Sequence, residues 1–287
     1  MVWHPLAARP GAAAEGAWVP LLPLGDPSGP PVVLVPGLTD GLHPVSRPVA
    51  RRLFDELPVP MERCRGMVVS YRHPLRPGTT TQGLASDLAE VIDAQVDGPV
   101  VVVAHSMGTM VAQHLAVRRP DLVAGLVMSA PLIEVDDGLR TVIERWAALV
   151  REGRWDEFAE DALACSYTGD ELARRRELSG ALPPEVPDDE LRERHLQLSQ
   201  ACLGHDATAL LGRISAPSLV LAGEEDPVAP PRHARRLAEA MARADLHVLP
   251  GLAHGFPEQA AGPFTTFVTA FFGEVAGSDP SWARPAS

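Results

Sequence analysis

The chain has 287 residues, 46% hydrophobic and 22% charged, with a formal net charge of −12 at pH 7. That length can bury a large core, and the ordinary apolar-to-charged balance belongs to a globular protein. The negative charge argues against nucleic acid or an anionic membrane as partner, since both recruit basic patches, and no apolar run approaches the ~20 residues needed to span a bilayer.

The opening Met1-Val-Trp-His-Pro-Leu has no basic stretch leading into an apolar one, so a cytoplasmic location is the expectation. The first thirty residues are rich in Pro, Gly and Ala, with one short strand expected over Ala17 to Leu22. Pro31-Val-Val-Leu-Val-Pro36 is a continuous β-branched run, the pattern of a strand buried on both faces of a parallel sheet. A helix is expected over Val49 to Glu56 and a second buried strand over Gly66 to Tyr71. Gly83 to Val96 places Leu84, Leu88, Val91 and Ile92 on one helical face. Pro99-Val-Val-Val-Val-Ala104 is the strongest strand signal in the chain, and a helix over Met107 to Val117 follows it. A further strand is expected over Ala124 to Ala130.

From about Ile133 to Arg213 no strand pattern occurs, only charged amphipathic segments such as Leu139 to Arg151 and Asp188 to Cys202, with a Pro-rich loop at Pro183 to Pro187. The alternation then resumes with strands over Ser218 to Ala222 and Leu246 to Leu249, and with helices over Arg232 to Ala242 and Phe264 to Phe272. Strands alternating with helices predict a doubly wound, mostly parallel α/β sheet. The expected organisation is a core of residues 1–132 and 214–287, with residues 133–213 inserted as a helical cap over the strands' carboxyl ends, where ligands of such sheets bind. The alternative is a set of solvated helices that only decorate the fold. Cys64, Cys165 and Cys202 are odd in number and have no CxxC spacing, so neither a disulfide framework nor a metal knuckle is expected.

Four short segments carry chemistry. Ala104-His-Ser-Met-Gly108 lies between the strongest strand and its helix, as a G-x-S-x-G nucleophile elbow does, with Ala in the first glycine position. The tight turn requires small residues two before and two after Ser106. It lifts the hydroxyl above the sheet, although a serine there could also serve only to cap the helix. A general base working near neutral pH should be a histidine. Among ten, His254 is favoured because Gly251-Leu-Ala-His254-Gly-Phe follows the last strand and can reach across the sheet's edge. His247 lies within a strand and reads as structural. His105 precedes the serine and is expected to point away. His114 lies on a helix, and His195 and His205 fall within the insert. The carboxylate that orients the histidine is expected at Asp226, in Gly223-Glu-Glu-Asp226-Pro, with Asp136 and Asp137 in reserve. Two backbone donors for an oxyanion are expected at Met107 and at Leu38, in Val35-Pro-Gly-Leu38-Thr-Asp-Gly.

With these segments in the order Ser, Asp, His, the sequence resembles the α/β-hydrolase superfamily over nearly its whole length. The resemblance implies an α/β-hydrolase fold with a helical cap, a serine nucleophile, no metal or organic cofactor, and a small-molecule substrate. Members usually carry His where this chain has Pro36, and Ser70-Tyr-Arg-His-Pro-Leu replaces the more usual Gly-x-Gly-x-Ser run. The expected reaction is hydrolysis of a small carboxylic ester. A lactone, thioester, amide or carbon–carbon bond is the alternative for the same triad, as is a small-molecule receptor with a slow triad. Trp146, Trp155, Phe158 and Tyr167 are candidate pocket residues, with packing of the insert as their other role.

Overall fold

The protein is described by a computed structural model over residues 2–5, 18–39, 58–60, 63–180 and 187–278. Eight strands form one sheet: β1 (Val2–Pro5), β2 (Trp18–Gly25), β3 (Pro31–Val35), β4 (Arg65–Val69), β5 (Val100–His105), β6 (Val123–Ser129), β7 (Ser218–Gly223) and β8 (Ala244–Leu249). Their spatial order is β1-β2-β4-β3-β5-β6-β7-β8. The β1–β2 and β2–β4 pairs are antiparallel and every other pair is parallel.

The sequence explains this layout. Val32 to Val35, Val100 to Val103 and Leu126 to Met128 are all essentially sealed from solvent, as uninterrupted aliphatic strands must be when helices cover both faces of a sheet. Helices α1 (Thr81–Gln95) and α2 (Met107–Arg118) supply one such covering layer. Thr80 caps α1 by accepting a 3.0 Å hydrogen bond from the Gly83 amide, which satisfies an N–H the first turn leaves without a helical partner. The helix expected over Val49 to Glu56 lies outside the described residues.

Between β6 and β7 the chain forms α3 (Asp137–Arg151), α4 (Trp155–Ser166), α5 (Gly169–Gly180) and α6 (Asp189–Leu203). Leu139, Val142, Ile143, Trp146 and Val150 form the buried stripe of α3, at the i, i+3, i+4, i+7 spacing that one helical face demands, and α6 packs on α3. The chain then completes β7, α7 (Pro231–Ala240), β8, the short α8 (Phe256–Gln259) and α9 (Ala261–Ser278). Among the described residues, no helix is long and apolar enough to cross a membrane.

Two features position the site. From β3 the chain runs to β4 on one side, then crosses to β5 on the other. This leaves a crevice at the carboxyl ends of β3 and β5, the topological switch point. The loops that follow β7 and β8 emerge at the same edge of the sheet because those strands are parallel to β5 and β6.

Candidate active site

Ser106 occupies the turn from β5 into α2 with φ 51° and ψ −121°. A positive φ is uncommon for a residue bearing a Cβ, and it marks a turn held by its surroundings. Those surroundings are visible. The Ser106 amide donates to the Ser129 carbonyl at 2.9 Å, and the Ser106 carbonyl accepts from the amide and hydroxyl of Thr109. The Ser106 hydroxyl makes no capping bond to α2, so the capping alternative falls away. Gly108 is forced by close approach. A Cβ there would lie 2.5 Å from the Val35 carbonyl oxygen and 2.8 Å from that of Pro36. The helix after the serine thus rests on the backbone that leaves β3.

The histidine loop arrives from β8. The Nε2 of His254 lies 2.9 Å from the Ser106 hydroxyl and its Nδ1 lies 2.7 Å from Asp226 Oδ2. An ionised carboxylate can only accept, so the ring proton sits on Nδ1 and leaves Nε2 free to accept the serine proton. Asp226 is itself fixed: its Oδ1 accepts 2.8 Å hydrogen bonds from the amides of Val228 and Ala229. Ser106, Asp226 and His254 are all buried, at 8%, 3% and 8% exposure, which strengthens each polar contact relative to water. Gly223 of the Gly-x-x-Asp-Pro segment, the last residue of β7, is also fixed by close approach. A Cβ there would meet the carbonyl oxygens of Leu252 and Ala253 at 2.5 and 2.6 Å, so only a glycine lets the histidine loop lie this close to the sheet.

The competing residues are placed elsewhere. Asp136 caps α3 through the Leu139 amide, and its other oxygen is shared by Arg232 and His233. Asp137, Glu224 and Glu225 are exposed. His247 pairs with Asp245 and stacks on Phe267. His205 meets Thr81 and lies edge-on to His114, while His195 lies against Ser199 and Phe158.

His105 departs from expectation. Instead of pointing away, its ring lies 4.9 Å from that of His254, tilted by 48°, with Nδ1 at 3.1 Å from the Ser129 hydroxyl. Strand alternation does not carry through to Ser106 because the positive φ turns the chain there. Burial, and then the neighbouring His254, hold the His105 imidazole well below its ordinary value. It therefore stands beside His254 as a neutral ring and adds no second positive charge.

Leu38 and Met107, both buried, lie at the ends of β3 and β5 respectively. Met107 opens α2, where backbone N–H groups lack helical partners and the helix dipole favours negative charge. Pro36 offers its carbonyl to the Tyr71 hydroxyl. Tyr71 belongs to the divergent Ser-Tyr-Arg-His-Pro run, and its own carbonyl and that of Arg72 accept from Arg194 of α6. Pro36 and the Ser70-Tyr-Arg-His-Pro run thus meet in one contact that supports the loop leaving β3. Of the candidate pocket residues, Trp146 donates to Asp161 at 2.5 Å and packs edge-on against Phe158, as does Trp155. These three pack the insert internally, while Tyr167 reaches the histidine loop.

Residues 32–265 match the model of the alpha/beta hydrolase family. The chain is 34% identical over 214 residues to lipase LipV of Mycobacterium tuberculosis, across 71% of each chain. It is 31% identical over 177 residues to the pimeloyl-(acyl-carrier protein) methyl ester esterase of Chromobacterium violaceum, across 59% of this chain and 68% of that one. Among solved structures, MGS-M2, an alpha/beta hydrolase enzyme from a Medee basin deep-sea metagenome library, superposes with a TM-score of 0.78 at 17% identity. That match covers 91% of this chain and 96% of the other, a likeness of fold.

Proposed function

The chain belongs to the alpha/beta hydrolase family, and from that premise we propose that it is a serine hydrolase cleaving a small carboxylic ester through an acyl-enzyme. One observation carries the reading: the unbroken relay from the Ser106 hydroxyl through both nitrogens of His254 to Asp226, at 2.9 and 2.7 Å. The names of the lipase and the methyl ester esterase support ester chemistry over the alternatives.

In this mechanism His254 takes the Ser106 proton at Nε2 as the oxygen attacks the ester carbonyl. Asp226 holds the imidazole in the tautomer required and balances the imidazolium that forms. The amides of Leu38 and Met107 receive the oxyanion. The alcohol departs with the proton from His254, and water activated by the same nitrogen attacks the acyl-enzyme to release the acid and restore Ser106. Neutral His105 beside His254 keeps the developing imidazolium from facing a second cation. Helices α3 to α6 then serve as the cap that limits substrate size. Every step uses protein groups and water.

The test is Ser106→Ala. It is expected to abolish both turnover of short p-nitrophenyl esters and labelling by an organophosphonate. Turnover at the wild-type rate in that variant would end the assignment.

A further inference from the structure

The inserted helices do more than lie near the relay; they are bonded to the loop that carries its histidine. The His254 amide donates to the Cys165 carbonyl at 3.2 Å and the Gly255 amide to the Ser166 carbonyl at 2.6 Å. Both acceptors lie at the end of α4. The following residues continue the contact. The Thr168 hydroxyl donates to the Gly251 carbonyl at 2.8 Å, and the Gln259 side chain bonds the Thr168 backbone and hydroxyl. At the centre, Glu258 of α8 accepts the Tyr167 hydroxyl on one oxygen at 2.5 Å and Arg175 of α5 on the other. The Arg175 guanidinium also lies over the Tyr167 ring, 4.6 Å from its centre.

This arrangement divides the control of His254 between two sources. Asp226 and Ser106 hold the ring, whereas the α4–α5 junction holds the backbone from which the ring projects. A carboxylate bonded to a phenol and a guanidinium in a partly buried setting is among the stronger polar contacts a protein makes. A loop displaced by a fraction of an ångström would carry the ring out of register with Ser106, Asp226 or both, and attack geometry is steeply sensitive to such displacement.

We propose that Tyr167 and Glu258 are positioning residues for His254, forming a latch between insert and histidine loop that sets the rate of the chemical step. The inference rests on the serine-hydrolase reading above. Because the latch acts on the imidazole and not on the acyl or alcohol group, its loss lowers kcat and leaves KM nearly unchanged.

The experiment compares wild type, Tyr167→Phe and Glu258→Gln on a short p-nitrophenyl ester, with active sites counted by organophosphonate titration and melting followed in parallel. Tyr167→Phe keeps the ring under Arg175 and removes only the hydroxyl. It is expected to lower kcat about tenfold, with KM within about twofold and with slower organophosphonate labelling. Glu258→Gln should do at least as much, and the double variant should lose less than the product of the two. Wild-type kcat per active site in both single variants, whatever their melting temperatures, would overturn the latch while leaving the reaction assignment intact. A wild-type chain that neither turns over nor labels would overturn both.

Discussion

The strained turn at Ser106 permits a prediction in which loss of function and gain of stability are separable. At φ 51° and ψ −121°, a residue with a Cβ stores roughly 1–3 kcal/mol of backbone strain. Ser106→Ala and Ser106→Gly both delete the hydroxyl and its 2.9 Å bond to His254. They differ in the Cβ alone, so their difference isolates the strain. Glycine recovers that energy but brings about 0.5–1 kcal/mol of extra freedom in the unfolded chain. The glycine variant should therefore be more stable than the alanine variant by about 1 kcal/mol, within a span of about 0–2.5 kcal/mol, a rise of a few degrees in a chain of this size. Urea unfolding followed by circular dichroism at pH 8, with thermal melts beside it, measures the gap. Both variants should be inactive. A glycine variant less stable than the alanine one by about the full 0.5–1 kcal/mol that glycine's freedom costs would show that the turn holds no strain of this kind.

Four further outcomes follow from the geometry and burial. Burial holds His195 at about 4 and His205 at about 3, below the ordinary 6.5, so the unfolded chain binds more protons than the folded one below pH 6.5. The stability these two groups contribute should be nearly complete at pH 7.5 and fall by about 4 kcal/mol by pH 5; an unchanged urea midpoint at pH 7.5 and 5 would refute this, and His205→Gln should flatten the slope. Gly108→Ala drives a Cβ into two backbone carbonyl oxygens and should cost about 2 kcal/mol or more together with activity. Gly273→Ala, in open space on α9, should stabilise by about 0.5–1 kcal/mol in the same unfolding assay. Tyr71→Phe removes the donor to the Pro36 carbonyl and should reduce kcat on a short ester about tenfold; a kcat equal to wild type would detach Tyr71 from the proposed oxyanion loop.

Much of this architecture is legible from residue patterns because the parallel strands are buried on both faces. The Val-rich runs that form β3 and β5 leave no alternative in period or polarity, and β3 to β8 form where strands are expected. The edge strand β1 escapes notice because Val2 to Pro5 adjoin a Pro- and Ala-rich stretch, and an antiparallel edge needs no long apolar run. Helices α4 and α5 do not stand out individually, since Gly169–Gly180 is so rich in Arg and Glu that no apolar stripe declares its face. Ser106, Asp226 and His254 could be singled out because each follows a recognisable strand. Choosing Asp226 over Asp136 becomes physical only when Asp136 is found occupied by Arg232 and His233. The place of His105 beside His254 differs from the expectation that it points away, and nothing in the sequence pattern marks the Tyr167–Glu258 contact. The latter joins residues 91 apart, and no local periodicity encodes a meeting of that kind.

The wide spacing of the relay has a consequence for how the molecule comes into being. Ser106 and His254 are separated by 148 positions, so the hydroxyl-bearing elbow is synthesised well before the ring proposed to activate it. Chains still growing, or cut short ahead of β8, would carry a dormant serine. Chemical competence would arrive late, when the last strand docks beside β7, and a nascent chain would be spared premature acylation.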